Sequence, residues 1–286
     1  MSTTVRLLAT LMLLAGLASA HDGLHEQIAE VSARIKRAPQ DAILYLKRGE
    51  LYRLHQNWRR AEADYDRAAR LRPGLAVVDL ARGKMLFEAG RSRSAIVALD
   101  RLLLKQPQHF EALVTRARVL VKLGRRVEAG QDFTTAIRLT ATPQPELYIE
   151  RARSLADKPG SKTDNIIEAL RGLDEGLTKL GPLVTLQLYA VDLELRRNGY
   201  DKALARLETV AAQSPRKEAW LFRRGEILLL AARKAEAHEA FASALATLES
   251  LPMNRRRTRT VIDLEARLRT ALASDRKGRE EAVQQQ

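Results

Sequence analysis

Six alanines, Ala61, Ala95, Ala129, Ala169, Ala203 and Ala237, are spaced 34, 34, 40, 34 and 34 residues apart, and that interval limits the fold more than any other property of the chain. A second series of small residues, Gly49, Gly83, Ala117, Ala152, Ala190 and Gly225, runs in step with the first. A fixed period of this length marks one supersecondary unit repeated along the chain. Ala, Leu, Arg and Glu dominate, aromatics are only 5% and Gly and Pro are sparse, so each unit is expected to be helical, with no sheet. Two helices approach closely only where neither carries a bulky side chain. The paired small positions therefore predict a helix crossing in every unit, with Gly49 against Ala61 in the first. Pro73, Pro107 and Pro215 follow the second helices and stop them from continuing.

The residues around these markers resemble the tetratricopeptide repeat family, whose unit is a helix-turn-helix of about 34 residues. The first copy carries Tyr45, Gly49, Tyr52, Ala61, Tyr65, Ala68 and Pro73. The second keeps Gly83, Leu86, Gly90, Ala95, Leu99 and Pro107, and the third Ala117, Leu120, Gly124, Ala129, Phe133 and Ala136. The fourth departs: Tyr148, Ala152 and Leu155 are followed by the polar break DKPGSKTD before Ala169 and Leu173, so a longer loop near residues 158–165 is expected. Leu186, Ala190, Leu193, Ala203, Leu207 and Pro215 form the fifth, and Trp220, Gly225, Leu228, Ala237, Phe241 and Ala244 the sixth. The resemblance implies an all-α, right-handed α-solenoid over residues 42–252, with repeats near 42–75, 76–109, 110–144, 145–182, 183–217 and 218–252.

The flanks read separately. Arg6, the apolar run Leu7–Leu17 and the small-x-small end Ala18-Ser19-Ala20 have the build of a cleavable secretory signal over residues 1–20, which places the mature chain in a periplasm or outside the cell with His21 first. Within residues 21–41, Leu24, Ile28, Val31 and Ile35 recur at helical spacing and predict a helix packed on the first repeat. Val261, Leu264, Leu268 and Leu272 predict a capping helix over 253–275, because a terminal repeat otherwise exposes an apolar face. Residues 276–286 lack apolar periodicity and read as a disordered tail.

Catalytic chemistry has no foothold in this pattern. The chain has no cysteine, and its glycines fall singly rather than in a phosphate-cradling loop. His21, His25, His55, His109 and His238 do not show the spacing that sets two metal ligands on one helix face. An N-terminal His21 with His25 nearby is the one metal-binding alternative, and neither a cofactor nor an enzymatic activity is expected. Arg48, Arg82, Arg116, Arg151 and Arg224 each precede the small residue of a first helix. They admit two readings: a ladder for an anionic ligand, or helix-to-helix salt bridges using acids such as Asp64 and Asp132.

The net charge of +14 is concentrated outside residues 158–254. The resemblance implies a scaffold that binds a polypeptide through the face lined by first helices. Carried onto this chain, the inward positions are Leu46, Glu50 and Arg53; Leu80, Lys84 and Phe87; Val114, Arg118 and Lys122; Ile149 and Arg153; and Phe222 and Glu226. Such a face suits a peptide bearing acidic residues. Leu46, Glu50 and Ala81 stand where the family's chaperone-tail clamp needs lysine or asparagine, so that partner is not expected. A second reading uses the basic stretch NRRRTR, residues 254–259, against an anionic polymer or membrane surface. Export makes nucleic acid an unexpected partner, and oligomeric state is left open.

Overall fold

The computed structural model describes residues 23–156 and 163–284, with side chains described as far as residue 273. Residues 1–22 lie outside this range, and with them the predicted signal segment and His21. So do most of the predicted loop and the last two residues of the predicted tail. Among the described residues the chain is helical throughout, in consecutive antiparallel pairs that fall into two compact units.

Unit 1 contains α1 (residues 23–37), α2 (Ala42–Leu54), α3 (Trp58–Leu71), α4 (Ala76–Glu88), α5 (Ser92–Lys105), α6 (Phe110–Lys122) and α7 (Arg126–Arg138). Three of these helices, α2, α3 and α6, begin at a residue whose side chain satisfies one of their free N–H groups. Asp41 caps α2 by accepting from the N–H of Ile43 at 2.9 Å, and Asn57 caps α3 through Arg60 at 3.3 Å. His109 caps α6, its Nδ1 accepting from the N–H of Ala112 at 3.3 Å, so this histidine has a structural task. The pairs α2/α3, α4/α5 and α6/α7 are the first three repeats. Val31 and Ile35 of α1 are buried with Leu44 and Leu51 of α2, and Leu24 and Ile28 pack at the edge of this cluster.

Unit 2 contains α8 (Pro145–Ala156), α9 (Thr163–Leu180), α10 (Val184–Arg196), α11 (Tyr200–Ala212), α12 (Glu218–Leu230), α13 (Lys234–Glu249), α14 (Met253–Arg256) and α15 (Arg259–Gln284). The pairs α8/α9, α10/α11 and α12/α13 are the last three repeats. α9 starts at Thr163, so residues 163–165 are helix and not loop as the polar break suggested; part of the insertion lengthens the second helix of this repeat. Val261 and Leu268 of α15 are buried with Phe222, Phe241 and Leu248, which seals the end of the last pair. The backbone of α15 stays helical to Gln284, beyond the predicted boundary at 275. Arg, Lys, Glu and Ala in that stretch are strong helix formers, so helix there does not depend on an apolar stripe.

The small residues make room for a large side chain from the partner helix. A Cβ added to Gly49 would lie 2.6 Å from the Tyr65 ring, and one at Gly225 would lie 2.3 Å from the Phe241 ring. Gly83 meets Leu99 in the same way, at 2.6 Å. At the expected Gly49–Ala61 crossing, the Cβ added to Gly49 would lie 3.4 Å from the Ala61 carbonyl oxygen, and the Tyr65 ring four residues further on is the closer neighbour. Between the helices of a pair, the chain turns through one left-handed residue: Gln56, Gly90, Gly124, Asn198 and Ala232 occupy equivalent positions with φ of 55°, 75°, 79°, 59° and 59°. Ala232 pays the Cβ strain that glycine avoids at this position.

Candidate functional site

Four of the five arginines in the row, Arg48, Arg82, Arg116 and Arg151, tie helices together. Arg48 on α2 forks onto Asp64 of α3, with Nε and Nη2 each 2.8 Å from a carboxylate oxygen, and its third nitrogen donates to Ser32 Oγ of α1 at 3.1 Å. Arg116 on α6 makes the same fork to Asp132 of α7, both bonds 2.8 Å, and reaches back to Asp100 of α5 at 2.7 Å. Arg82 pairs backwards with Asp66. The hydrogen bond to Asp132 dominates in holding the Arg116 guanidinium charged against the opposing effect of burial. Ser32, Asp66 and Asp100 recur at the period of the repeat. α1 therefore contributes to the lattice as a second helix of a preceding repeat would.

In unit 2 the lattice takes another form. Gly172 stands where Asp64 and Asp132 stand in their repeats, and Arg151 donates instead to the Gly172 carbonyl oxygen at 2.9 Å and to Glu175 at 2.7 Å. A Cβ at Gly172 would lie 2.7 Å from the Arg151 guanidinium, so glycine opens this approach. In the next repeat the polarity is reversed: Arg206 occupies the acid's place and binds Asp174 at 2.7 and 3.0 Å. Arg224 is exposed.

Along the first-helix face of unit 1, several predicted groove residues are tied to one another. Tyr65 donates to Glu50 at 2.5 Å, Glu50 accepts from Arg53 at 3.1 Å, and Arg53 reaches Glu88 on α4 at 2.5 Å. Burial opposes the Arg53 charge, but the hydrogen bonds it donates to Glu88 and Glu50 outweigh it and raise its pKa. Burial, reinforced by the hydrogen bond to Glu50, pushes the Tyr65 hydroxyl above the usual tyrosine range. Lys84 of α4 pairs with Glu111 of α6. Neighbouring first helices are thus clipped together by charges that the sequence alone presented as ligand contacts. Leu80 and Val114 are buried, at 5% and 7% exposure, and support this face from beneath. Leu46 and Phe87 are half-buried, while Arg118 and Lys122 are exposed and close together on α6.

The first-helix face of unit 2 is divided. Ile149 is half-buried and Arg153 exposed, its guanidinium 5.5 Å from the centre of the Tyr189 ring. Phe222 and Glu226 are covered by the chain itself: Arg267 of α15 lies 4.4 Å over the Phe222 ring and donates to Glu226 at 3.0 Å. The anchoring of α15 in the core beneath explains this cover, which the local sequence around Phe222 could not reveal. Glu88, Glu111, Tyr189 and Arg267 were not foreseen. Glu88 and Glu111 lie on the first helix of the repeat after Arg53 and Lys84, but 35 and 27 residues on, so the 34-residue period does not mark them as partners.

Among the described residues no group of three or more His, Cys, Asp or Glu could hold a metal ion, and no helix is long and apolar enough to cross a membrane. Family comparison matches residues 80–144 and 190–252 to the tetratricopeptide repeat. No curated protein matches the chain. Among solved structures, the C-terminal part of a TPR repeat-containing protein from Cytophaga hutchinsonii has a TM-score of 0.62 at 15% identity, covering 88% of this chain and 98% of that one. A tetratricopeptide repeat protein from Parabacteroides merdae has a TM-score of 0.52 at 18% identity, covering 91% and 98%. The repeat match, the consecutive helix pairs and these likenesses together support assignment of the fold to the tetratricopeptide repeat type.

Proposed function

We propose that this chain is a non-catalytic scaffold of the cell envelope that holds a polypeptide partner on the first-helix face of unit 1. Tetratricopeptide repeat proteins generally mediate protein–protein interactions. The observation that carries the reading is the α6 end of that face, where Arg118 and Lys122 are exposed with the half-buried Phe87 on the adjoining helix α4. Two cations beside an apolar residue suit an acidic peptide segment with one apolar anchor, bound by charge-assisted hydrogen bonds. Export rests on the build of residues 1–20, and N-terminal sequencing of the chain from an expressing cell should begin at His21.

The test is capture from an envelope extract by the parent and by an Arg118→Glu/Lys122→Glu variant with an unchanged melting temperature. Loss of a polypeptide in the variant supports the face. Equal capture by both proteins refutes it.

A second reading has its own observation. Met253 and Ile262 are exposed at 62% and 52% and flank in sequence the exposed Arg255, Arg257 and Arg259. Apolar side chains beside arginines suit an anionic membrane surface. Sedimentation with anionic vesicles that disappears at high salt and in an Arg255→Glu/Arg257→Glu variant would favour it; sedimentation equal to that with neutral vesicles would remove it.

A further inference from the structure

His25 and His55 are thirty residues apart in sequence but meet in the fold. Their Nε2 atoms are 3.1 Å apart, and the rings make an edge contact with centroids 4.6 Å apart. His25 lies in the first turn of α1 and is exposed; His55 is the C-cap of α2, its backbone N–H bonded to the Leu51 carbonyl at 3.0 Å. Both rings are therefore carried by ordered backbone, and the pair is open to solvent.

We propose that His25 and His55 form a binding site for a divalent transition metal of the zinc or copper class, with water completing the coordination. The separation supports this chemistry. Two imidazole nitrogens each about 2.0–2.1 Å from one ion and 3.1 Å from each other subtend an angle of roughly 98° at that ion. This lies between the square-planar angle of about 90° preferred by copper(II) and the tetrahedral angle of about 109° adopted by zinc. Without metal, the short contact is an N–H···N hydrogen bond, in which one ring donates a proton and the other accepts. A metal takes the place of that shared proton, and both rings then act as neutral ligands.

The surroundings set the strength. Arg59, Glu62 and Arg91 line the same depression as His55, and Arg91 is paired with Glu62 at 3.1 Å. A cation entering here meets net positive charge and, among the described residues, this pair of imidazoles, so the site favours metals that bind imidazole strongly. The structural consequence is a tie between α1 and α2 in addition to their apolar contact. Binding to the folded form alone stabilises it in proportion to the logarithm of metal concentration over Kd.

The experiment is isothermal titration of the full chain with zinc chloride in a non-chelating buffer, beside His25→Gln, His55→Gln and His21→Gln variants checked by circular dichroism. The expected result is one equivalent bound by the parent and by His21→Gln, with affinity falling at least tenfold in each of the other two. Amide exchange of residues 23–37 should slow on zinc addition in the parent and stay unchanged in His55→Gln. No binding by the parent, retention by His25→Gln or His55→Gln, or loss in His21→Gln would each overturn the site. Failure here leaves the scaffold reading intact, because none of these residues lies on the proposed peptide face.

Discussion

Unit 1 and unit 2 use the same lock between small and large side chains but different polar lattices. In unit 1, Arg48 and Arg116 fork onto Asp64 and Asp132 from helices in register. In unit 2, Arg151 uses a backbone carbonyl made accessible by Gly172, and Arg206 stands where an aspartate would be. The lock depends on volume, and side chains of different shape fill it: Tyr65, Leu99 and Phe241 do so, and Phe133, Leu173 and Leu207 are buried at the equivalent positions. The fork depends on direction and distance, so an insertion or a single exchanged residue ends it. Packing therefore survives changes along the array that the ionic pairing does not.

Four experiments test this contrast between the units. The largest effect should come from the lock. Gly49→Ala in unit 1 and Gly225→Ala in unit 2 each force an aromatic ring to move and should destabilise by about 1–3 kcal/mol in urea unfolding. Ala203→Leu, at a position with no exposed surface, belongs in the same range. A midpoint unmoved by both glycine substitutions would end the claim of a common lock, and recovery by Phe241→Leu in the Gly225→Ala background would locate the strain.

The lattice should separate the units. Asp64→Ala leaves a half-buried Arg48 without its carboxylate, with the Ser32 hydroxyl and the Tyr45 and Tyr52 rings as remaining neighbours, and should cost about 2 kcal/mol. Asp132→Ala should cost less, because Arg116 retains Asp100. Glu175→Ala in unit 2 should cost under about 1 kcal/mol, since that carboxylate is half-exposed and Arg151 keeps the Gly172 carbonyl. Thermal melts giving Glu175→Ala the greatest loss would invert the contrast.

A third experiment uses pH. The Tyr65 hydroxyl has its pKa raised in the folded chain, so the folded state holds this proton more tightly than the unfolded state. Its contribution to stability is full below the unfolded tyrosine value of about 10 and declines above it, by at most about 1.4 kcal/mol per pH unit. Tyr65→Phe should flatten the alkaline limb of a stability profile relative to the parent; parallel limbs would show that this hydroxyl is not held as described.

The smallest effect is in the turns. Ala232→Gly should stabilise unit 2 by about 0.5–1 kcal/mol, and Gly124→Ala should destabilise unit 1 by a similar amount, because the same left-handed position is filled by the wrong residue in one case and the right residue in the other. Melting temperatures shifting in the same direction would contradict the shared turn geometry.

Much of the fold was legible. Period, helix pairing, the N-terminal helix and the seal formed by Val261 and Leu268 follow from apolar spacing, because burial against a neighbouring helix demands that spacing. The pairing of Arg48 with Asp64 was one of two open readings. The candidate site was much less accessible: Leu80 and Val114 lie at first-helix positions like those of Lys84 and Arg118, yet the former are buried and the latter half-buried or exposed. Helix register alone does not tell which side chains a neighbouring helix will cover.

By itself, the sequence determined the repeating unit, since small residues at one interval permit close crossings and large ones fill the space between them. Tertiary structure decided which charges remain available. Glu50 and Arg53 reach Tyr65 and Glu88, Phe222 lies beneath Arg267, and His25 comes to His55 only once α1 has packed on α2. Apolar burial needs only a class of side chain at a spacing, whereas hydrogen bonds and coordination need particular atoms within about 3 Å, and that proximity is a product of the folded chain.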